Sequence, residues 1–334
     1  MGLYWGGVLL FWQIVGCGGG LSICYDCFVL DTVGMGRLKA KPFLKWAGGK
    51  GQLLPQIEGY LPQALKAGKI KRYVEPFIGS GALFFYVAQR YAIDEFAIAD
   101  INPELVMAYR VIQQDVAALI ALLEEIQGYY WGLSDTARKE YFYGARSRFN
   151  IQRNKIDFNH YSPAWIDRTA QLLFLNRTCF NGLFRVNRKG EFNVPMGRYK
   201  NPRICDAENL KAVSSLLQRT QILPGDFEVC KTVVDKETFV YFDPPYRPVS
   251  ETANFTSYAR QVFGDEEQLR LRDFYQLLDE RGAKLMLSNS DSEFFDTAYQ
   301  DYVVSRIDAK RNINSNKSKR GKVKEVLIRN YDDL

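Results

Sequence analysis

The sequence predicts an α/β fold built on one parallel sheet, interrupted by an insert. Three observations carry this. Arg72–Glu75, Glu95–Asp100 and Thr238–Asp243 are short apolar runs that each end on an acid, the pattern of buried parallel strands. Apolar residues at helical spacing follow the first two runs, as β/α units require. Between them, over about 100 residues, long enough for a domain of its own, the texture turns helical and then basic.

The elements follow in order. Arg72–Glu75 runs into Pro76, and Ala82–Tyr91 has apolar helical character. Glu95–Asp100 is the second strand. Asn102 is placed to cap a helix that Pro103 opens and that is expected to continue to about Gln127, with Leu105, Val106, Ala108, Tyr109 and Ile112 on one face. Residues 135–178 read as helices separated by a polar loop near Asn150–Tyr161. Leu183–Asn187 and Glu191–Val194 are expected to pair as a hairpin around Arg188-Lys189-Gly190. Regular signals resume at about Asp206. Gln221–Leu223 leads to Gly225–Phe227, and Thr238–Asp243 terminates in Pro244-Pro245. Asp265–Arg281 reads as a helix, and Ala283–Ser288, Tyr302–Ile307 and Val323–Arg329 as the last strands. No internal repeat is evident.

Composition bounds the chemistry. With 334 residues, 47% hydrophobic and 25% charged, the chain can bury a core. A net charge of +6 permits a polyanionic partner without requiring one. The single histidine, His160, excludes a multi-histidine metal site, and no metal is expected. The six cysteines are unevenly spread, and Cys24-x-x-Cys27 has no second pair to complete a zinc site, so a reducing compartment fits better than a disulfide scaffold. Residues 1–34 contain no Lys or Arg and only Asp26 and Asp31 as acids. Their apolar span is long enough for a membrane helix. It lacks a basic flank and is dense in glycine, and Met35 opens an ordinary soluble start. Residues 1–34 are therefore expected to be an atypical leader outside the functional fold, with a membrane anchor as the competing reading.

Five stretches can carry chemistry. Glu75–Gly81 (Glu-Pro-Phe-Ile-Gly-Ser-Gly) follows a strand, where glycines let the backbone approach a ligand; by itself it is equally a tight turn. Asp100 stands at the next strand end, where such folds hold ribose hydroxyls. Asp243-Pro244-Pro245-Tyr246 offers a carboxylate, stiffened carbonyls without local amide partners, and a flat ring, a set suited to a planar base with an exocyclic amine. Phe43–Lys50 surrounds Gly48-Gly49 with two lysines and a tryptophan. It reads either as a charged loop with a packing Trp or as a holder of a carboxylate or phosphate. Residues 177–203 carry Arg177, Arg185, Arg188, Lys189, Arg198, Lys200 and Arg203 against Glu191 alone, interleaved with Phe180, Phe184, Phe192 and Tyr199. Such a stretch can engage phosphates, stack on bases and read their edges, or be a solvated hairpin. Lys310–Lys324 is basic without an acid, a solvated loop or a phosphate clamp.

Together these residues resemble the Dam-type DNA adenine methyltransferases, the bacterial and phage enzymes that modify GATC. The resemblance runs in order from about Pro42 to Tyr331. It rests on Lys45–Lys50, Glu75–Gly81, Ala99–Asn102, Phe180–Asn187, Glu191–Pro202, Gly225–Phe227, Asp243–Tyr246 and Phe255–Tyr258. The pattern departs at Thr178-Cys179, where many members carry a basic or small residue.

The resemblance implies a Rossmann-like S-adenosylmethionine-dependent methyltransferase domain, residues 35–102 and 204–334. A mainly helical target-recognition domain carrying the hairpin, residues 103–203, would be inserted in it. The implied reaction moves a methyl group from S-adenosylmethionine to adenine N6 in double-stranded DNA, leaving S-adenosylhomocysteine. The implied cofactor residues are Trp46, Lys50, Glu75, Phe77, Gly79, Gly81, Asp100, Asp226, Phe227 and Asp243. Lys50 would face the cofactor's carboxylate, Asp100 its ribose and Asp226 its adenine. Asp243, Pro244, Pro245 and Tyr246 would hold the flipped target base. On DNA, Arg185 would read a guanine with Leu183 and Pro195 beside it. Lys45 and Tyr199 would approach the first base pair, and Phe180 would wedge into the stack with Asn181. Asn187, Arg198 and Lys200 complete the interface. The family also implies a cytoplasmic monomer with no membrane contact, and a restriction endonuclease as a functional rather than a subunit partner. The competing readings are another target site, another acceptor (cytosine N4, an RNA base or a glutamine amide), and a DNA-binding module without activity.

Overall fold

The computed structural model describes residues 39–247, 263–310 and 322–333, together with Tyr4–Trp5 and Val8–Leu9. Phe255–Tyr258, most of the proposed leader, and residues 311–321 of the basic loop lie outside the described residues. The chain divides into two compact units, Met1–Arg37 and Leu38–Leu334. In the first, Tyr4–Trp5 (β1) and Val8–Leu9 (β2) pair antiparallel.

The second unit is built on seven strands: Arg72–Glu75 (β3), Glu95–Asp100 (β4), Thr220–Pro224 (β5), Thr238–Phe242 (β6), Lys284–Ser290 (β7), Val303–Lys310 (β8) and Lys322–Arg329 (β9). Their order is β5-β4-β3-β6-β7-β9-β8. The first five strands are parallel to their neighbours among themselves, and β9 runs antiparallel to both β7 and β8. This is the expected parallel sheet, extended by an antiparallel edge. Side chains alternate between its faces with the two-residue period of a strand. Tyr73, Phe96, Ile98, Phe239, Tyr241 and Met286 join one core. Val74, Ala97, Ala99, Val240, Phe242, Leu285 and Leu287 join the other. Each fully buried large side chain there contributes roughly 1.5–3 kcal/mol.

The helices are Leu54–Gly59 (α1), Gln63–Lys66 (α2), Ala82–Ala88 (α3), Pro103–Gln114 (α4), Val116–Gly132 (α5), Asp135–Gln152 (α6), Ala164–Thr178 (α7), Ala207–Leu217 (α8), and then Asp265–Glu280 and Glu293–Ala298. Asn102 caps α4 as expected, its side chain accepting the Glu104 amide at 3.0 Å behind Pro103 at the first position. The single helix expected from Pro103 to about Gln127 is instead two helices bent by 109°. The chain leaves helical geometry at Asp115 (φ −133°, ψ 40°), whose carboxylate accepts the Tyr161 hydroxyl. Apolar spacing continues through the bend, so periodicity alone does not mark it. Among the described residues no single helix is long and apolar enough to cross a membrane.

The hairpin forms around the expected turn, but its arms meet only at isolated bridges, Val186 with Phe192 and Cys179 with Met196. Helix α6 holds it instead: Asn150 bonds both backbone groups of Phe192, and Arg153 donates to the Lys189 carbonyl. Cys179, Cys205 and Cys230 are buried free thiols.

Candidate active site

β3 lies where the strand order reverses, with β4 on one side and β6 on the other. Open α/β sheets bind ligands at the carboxyl ends of the strands at such a point. The predicted motifs leave the sheet there. β3 ends on Glu75, which is buried and accepts the Tyr73 hydroxyl at 2.7 Å. Burial pushes its carboxyl well above the usual range, and the charge of Asp243 adds to the push while the Tyr73 bond and Lys50 oppose it. The turn that follows places Gly79 and Gly81 in left-handed backbone, φ 46° and 71°. A Cβ at Gly81 would stand 2.8 Å from the Tyr109 hydroxyl, and one at Gly79 would stand 3.1 Å from the Trp46 ring. Only glycine gives a turn this close.

Asp100, ending β4, accepts the Gly79 amide at 3.1 Å on one oxygen and the Asn102 amide at 2.9 Å on the other. Each oxygen keeps a lone pair for a further donor. Burial pushes its carboxyl up to about 6, against these two bonds. After β5, Asp226 caps a short 3-10 helix by accepting the Glu228 amide. Both its oxygens also take Arg270, at 3.0 and 2.7 Å. Arg270 lies 4.3 Å over the Phe227 ring and also binds Glu228 and Glu267. Phe77 and Phe227 pack with centroids 5.5 Å apart.

Across the sheet, Asp243 leaves β6. The Lys50 ammonium stands 3.0 Å from its Oδ1, and the Ser288 hydroxyl donates to the same oxygen at 3.1 Å. The ammonium also lies 4.2 Å from the centroid of the Tyr246 ring and 3.7 Å from Glu325. The Tyr246 hydroxyl donates to Glu325 at 2.8 Å. Lys50, expected against a cofactor carboxylate, is therefore held by two carboxylates of the chain itself. Burial raises the Asp243 carboxyl, and Lys50 and Ser288 hold it back. Of the two proline carbonyls expected to lack partners, that of Pro245 accepts from Gln268 at 3.0 Å. Among the described residues nothing donates to the Pro244 carbonyl.

The nucleic-acid candidates gather on the hairpin and its base. Asn176 bonds the Lys45 backbone at both its N–H and its C=O, and also the Gly182 carbonyl. The Lys45 ammonium lies 5.3 Å from the Tyr199 ring centroid, so the two expected at one base pair are together. Trp46 stacks on Phe184 at 5.1 Å. Phe180 is 53% exposed, beside Asn181, the one non-glycine residue with positive φ among those described. Asn tolerates that conformation better than most residues. Arg185 is exposed and donates to Asn193 at 2.8 Å. Pro195, Arg198 and Lys200 are exposed, and Leu183 is half-buried. The Asn187 side chain is engaged within the turn, by the Lys189 and Glu191 amides and the Glu191 carboxylate. Sequence reasoning missed Ser288, Glu325 and Arg270. A polar residue in the apolar β7 run and an acid within β9 were the only signals for the first two.

Residues 46–313 match the family of D12 class N6 adenine-specific DNA methyltransferases. The chain belongs to this family. It is 50% identical over 296 residues to the Type II methyltransferase M.MjaIII of Methanocaldococcus jannaschii, covering 88% of this chain and 100% of that one. It is 34% identical over 292 residues to the DNA adenine methylase of Haemophilus influenzae, covering 87% and 94%. It is 33% identical over 289 residues to that of Escherichia coli K12, covering 86% and 95%. This D12 methyltransferase is thus an adenine-specific DNA methyltransferase with a Rossmann-like fold. Membership implies S-adenosylmethionine as the methyl donor, and the residues present fit it. The tight Gly79–Gly81 turn gives its Gly79 amide to Asp100, whose oxygens keep spare lone pairs for ribose hydroxyls, and Phe77, within the same stretch, packs on Phe227 to offer apolar ring surface.

Proposed function

We propose that this D12 enzyme methylates adenine N6 in double-stranded GATC, on a base turned out of the duplex. The observation that carries the reading is the corner at the end of β6: a half-buried carboxylate, a Pro244 carbonyl that nothing described engages, and the Tyr246 ring. An adenine amine inside a duplex is out of reach, and turning it out costs a few kcal/mol. Tyr246 stacks on the extruded base. Asp243 and the Pro244 carbonyl accept its two N–H bonds, which draws the nitrogen toward tetrahedral geometry and aims its lone pair. S-adenosylmethionine, bound along Glu75–Gly81, Asp100 and Asp226–Phe227, supplies an electrophilic methyl group on sulfur. The chain contributes alignment and charge. Asp243 orients the amine at first, and its carboxylate is within reach of the proton that becomes acidic as the new C–N bond forms. Lys50 must give up Asp243 Oδ1 to the amine, and the cofactor's carboxylate is its proposed new partner.

On the DNA side, residues 103–203 serve as the recognition domain and residues 35–102 and 204–334 as the catalytic one. Arg185 reads a guanine, and Leu183 and Pro195 lie against neighbouring bases. Lys45 and Tyr199 meet the first base pair, and Phe180 with Asn181 fills the gap in the stack. Asn187, Arg198 and Lys200 complete the contact. Relatives named as type II methyltransferases, at 50% and 40% identity, favour restriction-modification or self-protection of DNA. A nuclease acting on the same site, without being a stable subunit, and a monomeric methyltransferase complete the proposal.

The test is to map N6-methyladenine in DNA from cells expressing the full chain. Methylation at GATC is expected. Methyladenine in another motif overturns the specificity and leaves the chemistry, and none at all overturns both.

A further inference from the structure

We infer that Gln268 and Asn289 form a buried amide clamp that fixes Tyr246 for stacking on the target base. The inference deepens the acceptor-site reading above and rests on it. Both residues are fully buried, Gln268 in the first turn of the helix Asp265–Glu280 and Asn289 on β7. The Gln268 side-chain NH2 donates to the Pro245 carbonyl at 3.0 Å. Its side-chain carbonyl accepts from the Asn289 NH2 at 3.3 Å. The Asn289 carbonyl accepts the Arg247 amide at 3.1 Å and the Ser290 amide at 2.8 Å.

The ends of this chain of bonds decide its role. The Pro245 carbonyl belongs to the peptide unit before Tyr246, and the Arg247 N–H to the unit after it. The clamp therefore grips both peptide planes flanking one residue, and that residue carries the stacking ring. The Tyr246 hydroxyl is tied separately to Glu325. Ring and backbone are thus set before a base arrives. The clamp also takes up the Pro245 carbonyl, so of the two proline carbonyls only that of Pro244 is left for the amine. A buried polar chain serving packing alone would have no reason to end on the two sides of Tyr246. Gln268 and Asn289 are positioning residues: they act through Tyr246 and touch neither base nor cofactor.

Gln268→Met keeps the volume and removes both bonds. Single-turnover methyl transfer at saturating DNA and cofactor is expected to fall by about tenfold to a hundredfold, the scale of a misplaced reacting group. Dissociation constants for S-adenosylmethionine and DNA should stay within roughly twofold, the signature of a loss confined to the reacting complex. Asn289→Ala should give a similar loss, and the double variant no more than either single one, because the pair acts as a unit. Asn289→Asp keeps the acceptor for the Arg247 amide and removes the donor to Gln268, and carries the same test if Gln268→Met does not fold. A folded variant of either residue that turns over within roughly twofold of the parent overturns the clamp. Tyr246→Ala, measured alongside, separates the failures. If it keeps near-normal turnover, the acceptor-site reading falls. If it loses turnover while the clamp variants do not, only the clamp falls.

Discussion

At the scale of single residues, Lys50 governs the charge of the acceptor corner. Burial is the largest influence on the Asp243 carboxyl and pushes it up, and the Lys50 charge is the largest that opposes it. Lys50→Met should raise that carboxyl further. A protonated Asp243 has lost an acceptor, so methyl transfer fails below its pKa. The acid limb of kcat/KM, which reports the free enzyme in which Lys50 still holds Asp243, is expected to move to higher pH in Lys50→Met, and an unmoved limb would refute this. Asp243→Ala and Tyr246→Ala are each expected to abolish transfer while keeping most DNA binding, as a gel-shift titration beside a transfer assay would report. Asp100 supplies a second pH dependence. Its carboxyl lies at about 6 in the folded protein, above the ordinary 3.8. The folded state holds this proton more tightly, so its contribution to stability is present below the ordinary value and is lost as pH rises through about 6. Ribose hydroxyls need the ionised form as acceptor, so S-adenosylmethionine affinity should weaken as pH falls through about 6, and calorimetry on Asp100→Asn should show that dependence gone. Asp243, Tyr246 and Asp100 were legible in the sequence because each sits in a short motif at a strand end, and Lys50 because it closes the motif Lys45–Lys50 ahead of an apolar run. Ser288, Glu325 and Arg270 were not, because each reaches the site across a strand pairing or from a distant helix face.

At the scale of elements, helices α4, α6 and α7 are tied together by one buried ion pair. Arg168 on α7 is fully buried and makes a bidentate contact to Glu104 in the first turn of α4. It also donates to the Phe149 carbonyl of α6 at 2.9 Å and lies 4.0 Å over the Phe149 ring. Three helices therefore meet at one guanidinium. Removing the carboxylate leaves a buried cation without a counter-charge, so Glu104→Ala should cost about 3–5 kcal/mol in urea unfolding, while replacing both partners by apolar residues of similar volume should cost much less. Equal losses would mean that the pair itself stabilises the fold and that the cost does not come from the stranded cation. This junction was invisible to periodicity, which marks apolar faces and not the ions sealed between them. The bend at Asp115 escaped for a related reason, since apolar spacing runs through it and the Tyr161 hydroxyl that meets the carboxylate lies 46 residues away. The hairpin turn was legible from Arg188-Lys189-Gly190, but its arms hold their place by side chains of α6 rather than by a strand ladder.

At the scale of the whole molecule, the strand order brings the motifs after β3, β4 and β6 to the carboxyl ends of neighbouring strands, and the hairpin carries exposed basic residues. The parallel order was legible from strands ending on acids. Which of the basic residues remain available was not, because that depends on who pairs with whom. Arg177 donates to the Phe43 carbonyl, and burial lowers its pKa. Arg203 pairs with Asp206. Arg185 is aimed by Asn193. Arg198 and Lys200 are exposed beside Tyr199 and suit phosphates rather than base edges. Two kinds of loss should follow. Replacing Arg198 and Lys200 together by alanine removes about two phosphate contacts, so the slope of log K against log salt should become shallower by about two, with binding weakened evenly across sequences. Arg185→Ala should leave most of that slope and instead cost about 1–3 kcal/mol at one base pair, relaxing the choice there. Titrations of a cognate duplex and of single-substitution duplexes over a range of salt distinguish the two. A sequence-dependent loss in the Arg198/Lys200 variant, or a uniform one in Arg185→Ala, would exchange their roles.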